Sequence, residues 1–254
     1  MNGFTAFFKK ELLEAIRNYR VLILFSVTAI FGMMSPLTAK MMPDILANVG
    51  VEGMVLKIPE PTFIDAFTQF FKNFSQMGTV VLLLVFGGLL SQDLAKGTLI
   101  IPLSKGLSRH AVILAKYASA LTLWTLSYVL AALINYGYTL YFFQTISVSH
   151  LFFSLFCLWL FGAFLLAFLL LASVVTRGAF GGLLVTAAGL GILLICQAIF
   201  RMDPFNPLKL VSENVALLTG KAAFDQLLNT AWSTCALILS TLILAMMLFK
   251  KKSI

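Results

Sequence analysis

LFFSLFCLWLFGAFLLAFLLLASVV, residues Leu151–Val175, is the stretch that decides the fold class. It contains no Asp, Glu, Lys or Arg, and a helix needs about 20 apolar residues to cross the roughly 30 Å of bilayer hydrocarbon. Five further stretches read the same way, at 21–39, 76–90, 112–138, 179–200 and 231–249. The span at 76–90 is short, but its apolar character continues backwards through Phe70, Phe71 and Phe74. Lipid offers no hydrogen bonds, so continuous apolar runs of this kind satisfy their backbones as helices. The expected fold is therefore an all-α integral membrane protein with six transmembrane helices.

Working outward from the spans, 60% hydrophobic and 11% charged residues in a chain of 254 leave no room for a sizeable soluble domain. The expected organisation is an amphipathic interfacial helix over 1–20 and a transmembrane domain over 21–254. Within that domain, 91–111 is a cytoplasmic loop, and 40–75 and 201–230 are external. The net charge of +8 is unevenly spread. Lys9, Lys10, Arg17, Arg20, Lys96, Lys105, Arg109, Lys116, Arg177 and Lys250 to Lys252 fall on one side of an alternating topology. Lys40, Lys57, Lys72, Arg201, Lys209 and Lys221 fall on the other, which has the longer loops. The positive-inside rule makes the first side cytoplasmic and places both termini there. The same residues can meet anionic lipid headgroups, so membrane lipids are expected partners and nucleic acid is not.

The first 20 residues carry charge throughout and lack an apolar core before a small-residue cleavage site, so the first span is expected to be a retained anchor. In FTAFFKKELLEAIRNYR, residues Phe4, Phe7, Phe8, Leu12, Ala15, Ile16 and Tyr19 recur at three- and four-residue steps. Lys9, Lys10, Glu14, Arg17 and Arg20 occupy the other faces. Such a helix suits the headgroup region, with its Phe face towards the acyl chains and its lysines against anionic lipid.

Pro36 is expected to kink or end the first span. Thr62 with Asp65 three residues on marks a helix start. The stripe Phe63, Phe67, Phe70, Phe71 and Phe74 then predicts either a surface helix on the outer side or a tilted extension of the second span. Gly178 and Gly182 have the spacing that lets two helix backbones approach, within one subunit or between two.

The chemistry is bounded by what the spans omit. Ionisable groups at mid-membrane depth, which ion-coupled carriers use, are essentially absent. His110 and His150 lie on opposite sides, and no HExxH, GxSxG or P-loop sequence occurs, so the chain alone is not expected to be an enzyme. Cys157, Cys196 and Cys235 sit in apolar spans without a metal-ligand pattern, and no disulfide, metal or cofactor is expected. Ser127, Asn135, Gln144, Thr186 and Gln197 are polar residues within spans. Asn135 and Gln197 are the candidates for a substrate path; each may equally hydrogen-bond a neighbouring helix.

The densest polar cluster is the loop between the second and third spans, SQDLAKGTLIIPLSKGLSR from Ser91 to Arg109, closed by Lys116. Here the chain resembles the permeases of type-2 ABC exporters. In that family an acid, then Gly-Thr-Leu, a proline, Ser-Arg and a lysine recur between these spans. Asp93, Gly97, Thr98, Leu99, Pro102, Ser108, Arg109 and Lys116 stand in those places. Asp93 replaces the frequent glutamate, and Lys105-Gly106 replaces the usual Pro-Val. Lys10, Glu11, Glu14 and Arg17 similarly match the family's Lys-Glu-x-x-Glu-x-x-Arg helix before the first span.

The resemblance implies a subunit of the bacterial plasma membrane that pairs with a second permease, identical or paralogous. It also implies two copies of a separate ABC ATPase subunit. A short helix near Asp93 to Ser104 would sit in a cleft of that ATPase, making Asp93, Lys96, Gly97, Thr98, Pro102, Ser108 and Arg109 the candidate coupling residues. Charge-free spans and apolar external stripes suit an amphipathic or lipid-like substrate such as a peptide, lipid or drug. The competing reading is a membrane protein that binds a lipid or peptide without transport, in an assembly or immunity role.

Overall fold

The computed structural model describes residues 3–49, 60–143, 148, 150–176, 178, 180–200 and 205–252. All regular secondary structure among the described residues is helical. In chain order the helices are α1 (Gly3–Arg17), α2 (Arg20–Val49), α3 (Phe63–Asn73), α4 (Thr79–Phe86), α5 (Ser91–Lys96) and α6 (Ile100–Ser104). They continue with α7 (Arg109–Phe143), α8 (Leu151–Val175), α9 (Gly181–Phe200), α10 (Lys209–Ser212), α11 (Asn214–Leu218) and α12 (Phe224–Lys251). Six stretches are long and apolar enough to cross a bilayer: Arg20–Ile45, Phe63–Lys96, Arg109–Phe143, Leu151–Val175, Gly181–Ile199 and Phe224–Lys251. Lys57, Gln144, Arg177 and Arg201 lie outside the described residues.

Helix α8 is the axis of the bundle. It packs against α12, α9, α7 and α4, and also against α10 and α11. Its contact with α7 is cemented by polar atoms of aromatic side chains. Tyr128 Oη donates to the Leu155 carbonyl at 2.9 Å, Trp124 Nε1 to the Trp159 carbonyl at 3.1 Å and Tyr117 Oη to the Ala163 carbonyl at 3.2 Å. Those acceptors are four residues apart and so share one face of α8. A carbonyl has two lone pairs, so each can accept from α7 without leaving its own helix. Gly162 makes the approach possible, because a Cβ there would lie 2.4 Å from the Trp124 indole.

The α3 stripe proves to be an extension of the second span. A π-helical turn at Phe74–Gly78 joins α3 to α4. Phe63, Phe67, Phe70, Phe71 and Phe74 are all buried, with Phe74 edge-on to Tyr128 at 5.5 Å. Asp65 caps the start, accepting hydrogen bonds from the Thr62 N–H at 2.7 Å and the Thr62 hydroxyl at 2.8 Å. An aromatic stripe on a membrane helix therefore marks packing against α2 and α7, not the outer membrane surface.

Of the two outcomes expected at Pro36, an ended span does not occur: α2 runs through both Pro36 and Pro43 over 30 residues, about 45 Å. Dense packing of α2 along α7 and α3 holds the helix despite the missing donors. Of the Gly178/Gly182 pair only Gly182 lies in a helix, and it serves a close approach of α9 to α8 within one subunit. Gly178 precedes α9 with φ +115°, and Gly182 packs within the same chain, against Ser173 of α8.

Candidate functional site

The starts of α2, α7 and α9 and the ends of α8 and α12 meet at one end of the bundle, together with α1, α5 and α6. This is the basic end read from the sequence, and its charges knit the helices together.

The loop between the second and third spans folds because of its motif residues. Helix α5 ends at Gly97, which takes the left-handed conformation with φ +66°. The Thr98 N–H then reaches back to the Asp93 carbonyl at 3.1 Å, the closing bond of a glycine-terminated helix. Leu99 turns inward and is buried. Pro102 lies in the first turn of α6, where a missing N–H leaves no ladder bond unmade. Ser108 accepts a hydrogen bond from the Ala111 N–H at 3.2 Å and so caps α7.

Arg109 crosses to the last turn of α12, where Nη1 donates to the Phe249 carbonyl at 2.9 Å and the Lys250 carbonyl at 3.2 Å. Lys252 does the same for α8, its ammonium donating to the Thr176 and Val174 carbonyls. Cations at these carbonyl-rich ends complement the helix dipole.

Beneath the loop lies a buried ionic cluster. Lys116 of α7 is 1% exposed, and its ammonium donates to Glu11 Oε2 of α1 at 2.9 Å and to Asp93 Oδ2 of α5. The second oxygen of Asp93 accepts from the Thr98 hydroxyl, and the second oxygen of Glu11 from Lys10 at 3.0 Å. All four carboxylate oxygens thus have a donor, the condition under which charges are tolerated away from water. Lys10 also binds Glu14 at 2.6 Å. Burial lowers its affinity for a proton, but the hydrogen bond to Glu14 and the charge of Glu11 outweigh this and hold its pKa above the ordinary lysine value.

The candidate residues therefore separate into two groups. Asp93, Gly97, Thr98, Pro102, Ser108 and Arg109 give the loop its shape. Lys96 and Lys105 are exposed, as are the two apolar side chains at the start of α6, Ile100 (54%) and Ile101 (64%). Sequence reasoning passed over both isoleucines, although two adjacent large apolar residues in a polar loop are a usable signal. Lys116, which carries part of the family resemblance, joins the loop to α1, a link that no spacing in the sequence signals. A groove of about 690 Å³ separates α1 from α6, lined by Phe4, Phe7, Lys10, Ile101, Pro102 and Lys105, among others.

On α1 the buried line is Phe7, Glu11 and Ala15, facing α7, while Phe4 and Ile16 are exposed, as is Tyr19 just beyond the helix. Glu11 thus lies on the packed face, with Glu14 reached through Lys10 at its edge and Arg17 exposed. Asn135 is fully buried with no hydrogen-bond partner for either side-chain polar atom. Gln197 is half-buried at the far end of α9, 3.4 Å from the Ser212 hydroxyl. It lines a cleft of about 570 Å³ with Thr68, Lys72 and Ser75. Asn135 does not line that cleft.

A family model described as "ABC-2 family transporter protein" matches residues 5–254. No curated protein matches the chain significantly.

Proposed function

The chain belongs to the ABC-2 family of transporter proteins, and from that membership we propose how this permease subunit is driven. A separate ATPase subunit, in two copies per transporter, docks on α6 at the basic end. A second permease subunit completes the membrane pathway. The basic end is cytoplasmic, so both termini lie inside a bacterial plasma membrane, with α1 along the inner headgroup region.

One observation carries this reading: Ile100 and Ile101 are exposed on a loop whose base is fixed by buried charge. Exposed large apolar side chains on a rigid support mark a protein contact. Two isoleucines on one short helix suit insertion into a cleft of a soluble partner. The remaining loop residues support them, with Lys96 and Lys105 at the rim. Transport is outward, of an amphipathic or lipid-like substrate. The charge-free spans favour such a substrate, and the cleft beside Gln197 and Lys72 would contact its polar part.

The test is affinity purification of the tagged chain from membranes in mild detergent, with mass spectrometry of what accompanies it. The expected result is a stoichiometric P-loop ATPase that is lost from the variant carrying Ile100→Asp and Ile101→Asp. A folded chain that comes down alone points instead to a membrane protein that binds a lipid or peptide without transport.

A further inference from the structure

The ionic cluster does more than close a gap in the fold. Its three principal groups come from three separate elements: Asp93 from α5, Glu11 from α1 and Lys116 from α7. Glu11 and Asp93 are 6% and 7% exposed and Lys116 is 1% exposed, so bulk water does not replace a partner that leaves. Separating either carboxylate from the shared ammonium strands a charge in a poorly polarisable interior, which is far costlier than at a surface. The end of α7, the base of the loop and α1 are thereby held as one body.

A second link runs beside the first. Gln92, the neighbour of Asp93, accepts a hydrogen bond from Arg20 at the start of α2 at 3.1 Å. Helix α1 leads into α2 through Asn18 and Tyr19 alone, with Tyr19 at φ +57°. Adjacent residues of one short helix therefore hold α7 and α1 on one side and α2 on the other.

We propose that Lys116 is a positioning residue for transport: it makes α1 and the first span follow the loop when the ATPase displaces α6. The proposal rests on the reading of the chain as a permease driven through α6. It adds that the push is delivered to α1, α2 and α7 together, where a loop tethered only by its own chain would move the second and third spans. It also explains why the helix before the first span and the distant loop both carry an acid: the two acids share one lysine.

The test is hydrogen exchange by mass spectrometry on the full chain with its co-purified ATPase, in lipid nanodiscs, with and without ATP and vanadate. In the wild type, nucleotide trapping is expected to change exchange in residues 91–111 and in α1 alike. Glu11→Gln keeps Lys116 paired with Asp93, and should retain the change in the loop while losing it from α1. Lys116→Arg, which keeps the charge between the two carboxylates, should retain both changes. A purely structural cluster would let Glu11→Gln lower thermal stability while α1 still responds to nucleotide, and that result overturns the proposal. So does a wild-type α1 that ignores nucleotide while the loop responds. A wild-type preparation with no ATPase overturns the transporter reading itself, a separate failure visible before any exchange is measured.

Discussion

Helices α5 and α6 stand three residues apart in the same loop and place their side chains in opposite environments. In α5, Asp93 points inward to a lysine and Ser91 is buried. In α6 no residue is buried, and Ile100 and Ile101 are exposed. The charged helix is inside and the apolar surface is outside, the reverse of what composition alone suggests. The difference shows that the residues carrying the family resemblance are those that shape the loop. The residues suited to touch a partner are the unremarkable isoleucines between them.

The comparison breaks most severely at Lys116. Lys116→Met would leave two buried carboxylates without their shared cation, and removing one partner of a buried ion pair costs about 3–5 kcal/mol. The chain should unfold at clearly lower temperature in detergent, read by intrinsic tryptophan fluorescence; an unchanged midpoint would remove the buried cluster from the account. Asp93→Asn keeps the shape and a polar partner for Thr98, so a smaller loss of about 1.5–3 kcal/mol is expected by the same measurement.

Gly97→Ala tests the junction between the two helices. An alanine there must adopt φ near +66°, and the expected loss is about 1 kcal/mol. The weakened turn should also reduce ATPase recovery, because α6 is no longer presented at a fixed angle.

The opposite pattern belongs to α6. The paired change Ile100→Asp and Ile101→Asp should leave thermal stability within about 0.5 kcal/mol of wild type, as surface substitutions do. It should still reduce ATPase recovery by a factor of ten or more, about 1.4 kcal/mol of binding. A variant that keeps its ATPase would move the docking surface elsewhere. Lys105→Ala, at the rim, is expected to have the smallest effect: unchanged stability, and a slight loss of ATPase recovery that disappears at high salt.

The capping box of Thr62 with Asp65 was legible as local chemistry, because it acts within three residues. Gly97 as a left-handed stop and Ser108 as a cap act just as locally, but the sequence showed them only as positions of the family resemblance. The burial of Asp93 was not legible, because its partner lies 23 residues away and the other acid on that partner is 105 residues from it. Glu11 looks in sequence like one more charge on a surface helix, and only the packing of α1 on α7 shows that it faces inward.

The spans show the same division on a larger scale. The sequence by itself determined that the chain crosses a bilayer six times and that its positive charge gathers at one end, because transfer into hydrocarbon depends on the composition of each segment alone. Tertiary structure decided which spans are central. In the apolar stretch of α8, 72% of residues are buried inside the protein, and in that of α9 only 11%. In water the two would differ in sequence, since an exposed face must be polar. In lipid a face turned to a neighbouring helix and a face turned to acyl chains are equally apolar, so hydropathy sees both and separates neither. Shape decides instead: aromatic donors of α7 reaching the carbonyls of α8, and Gly162 admitting Trp124.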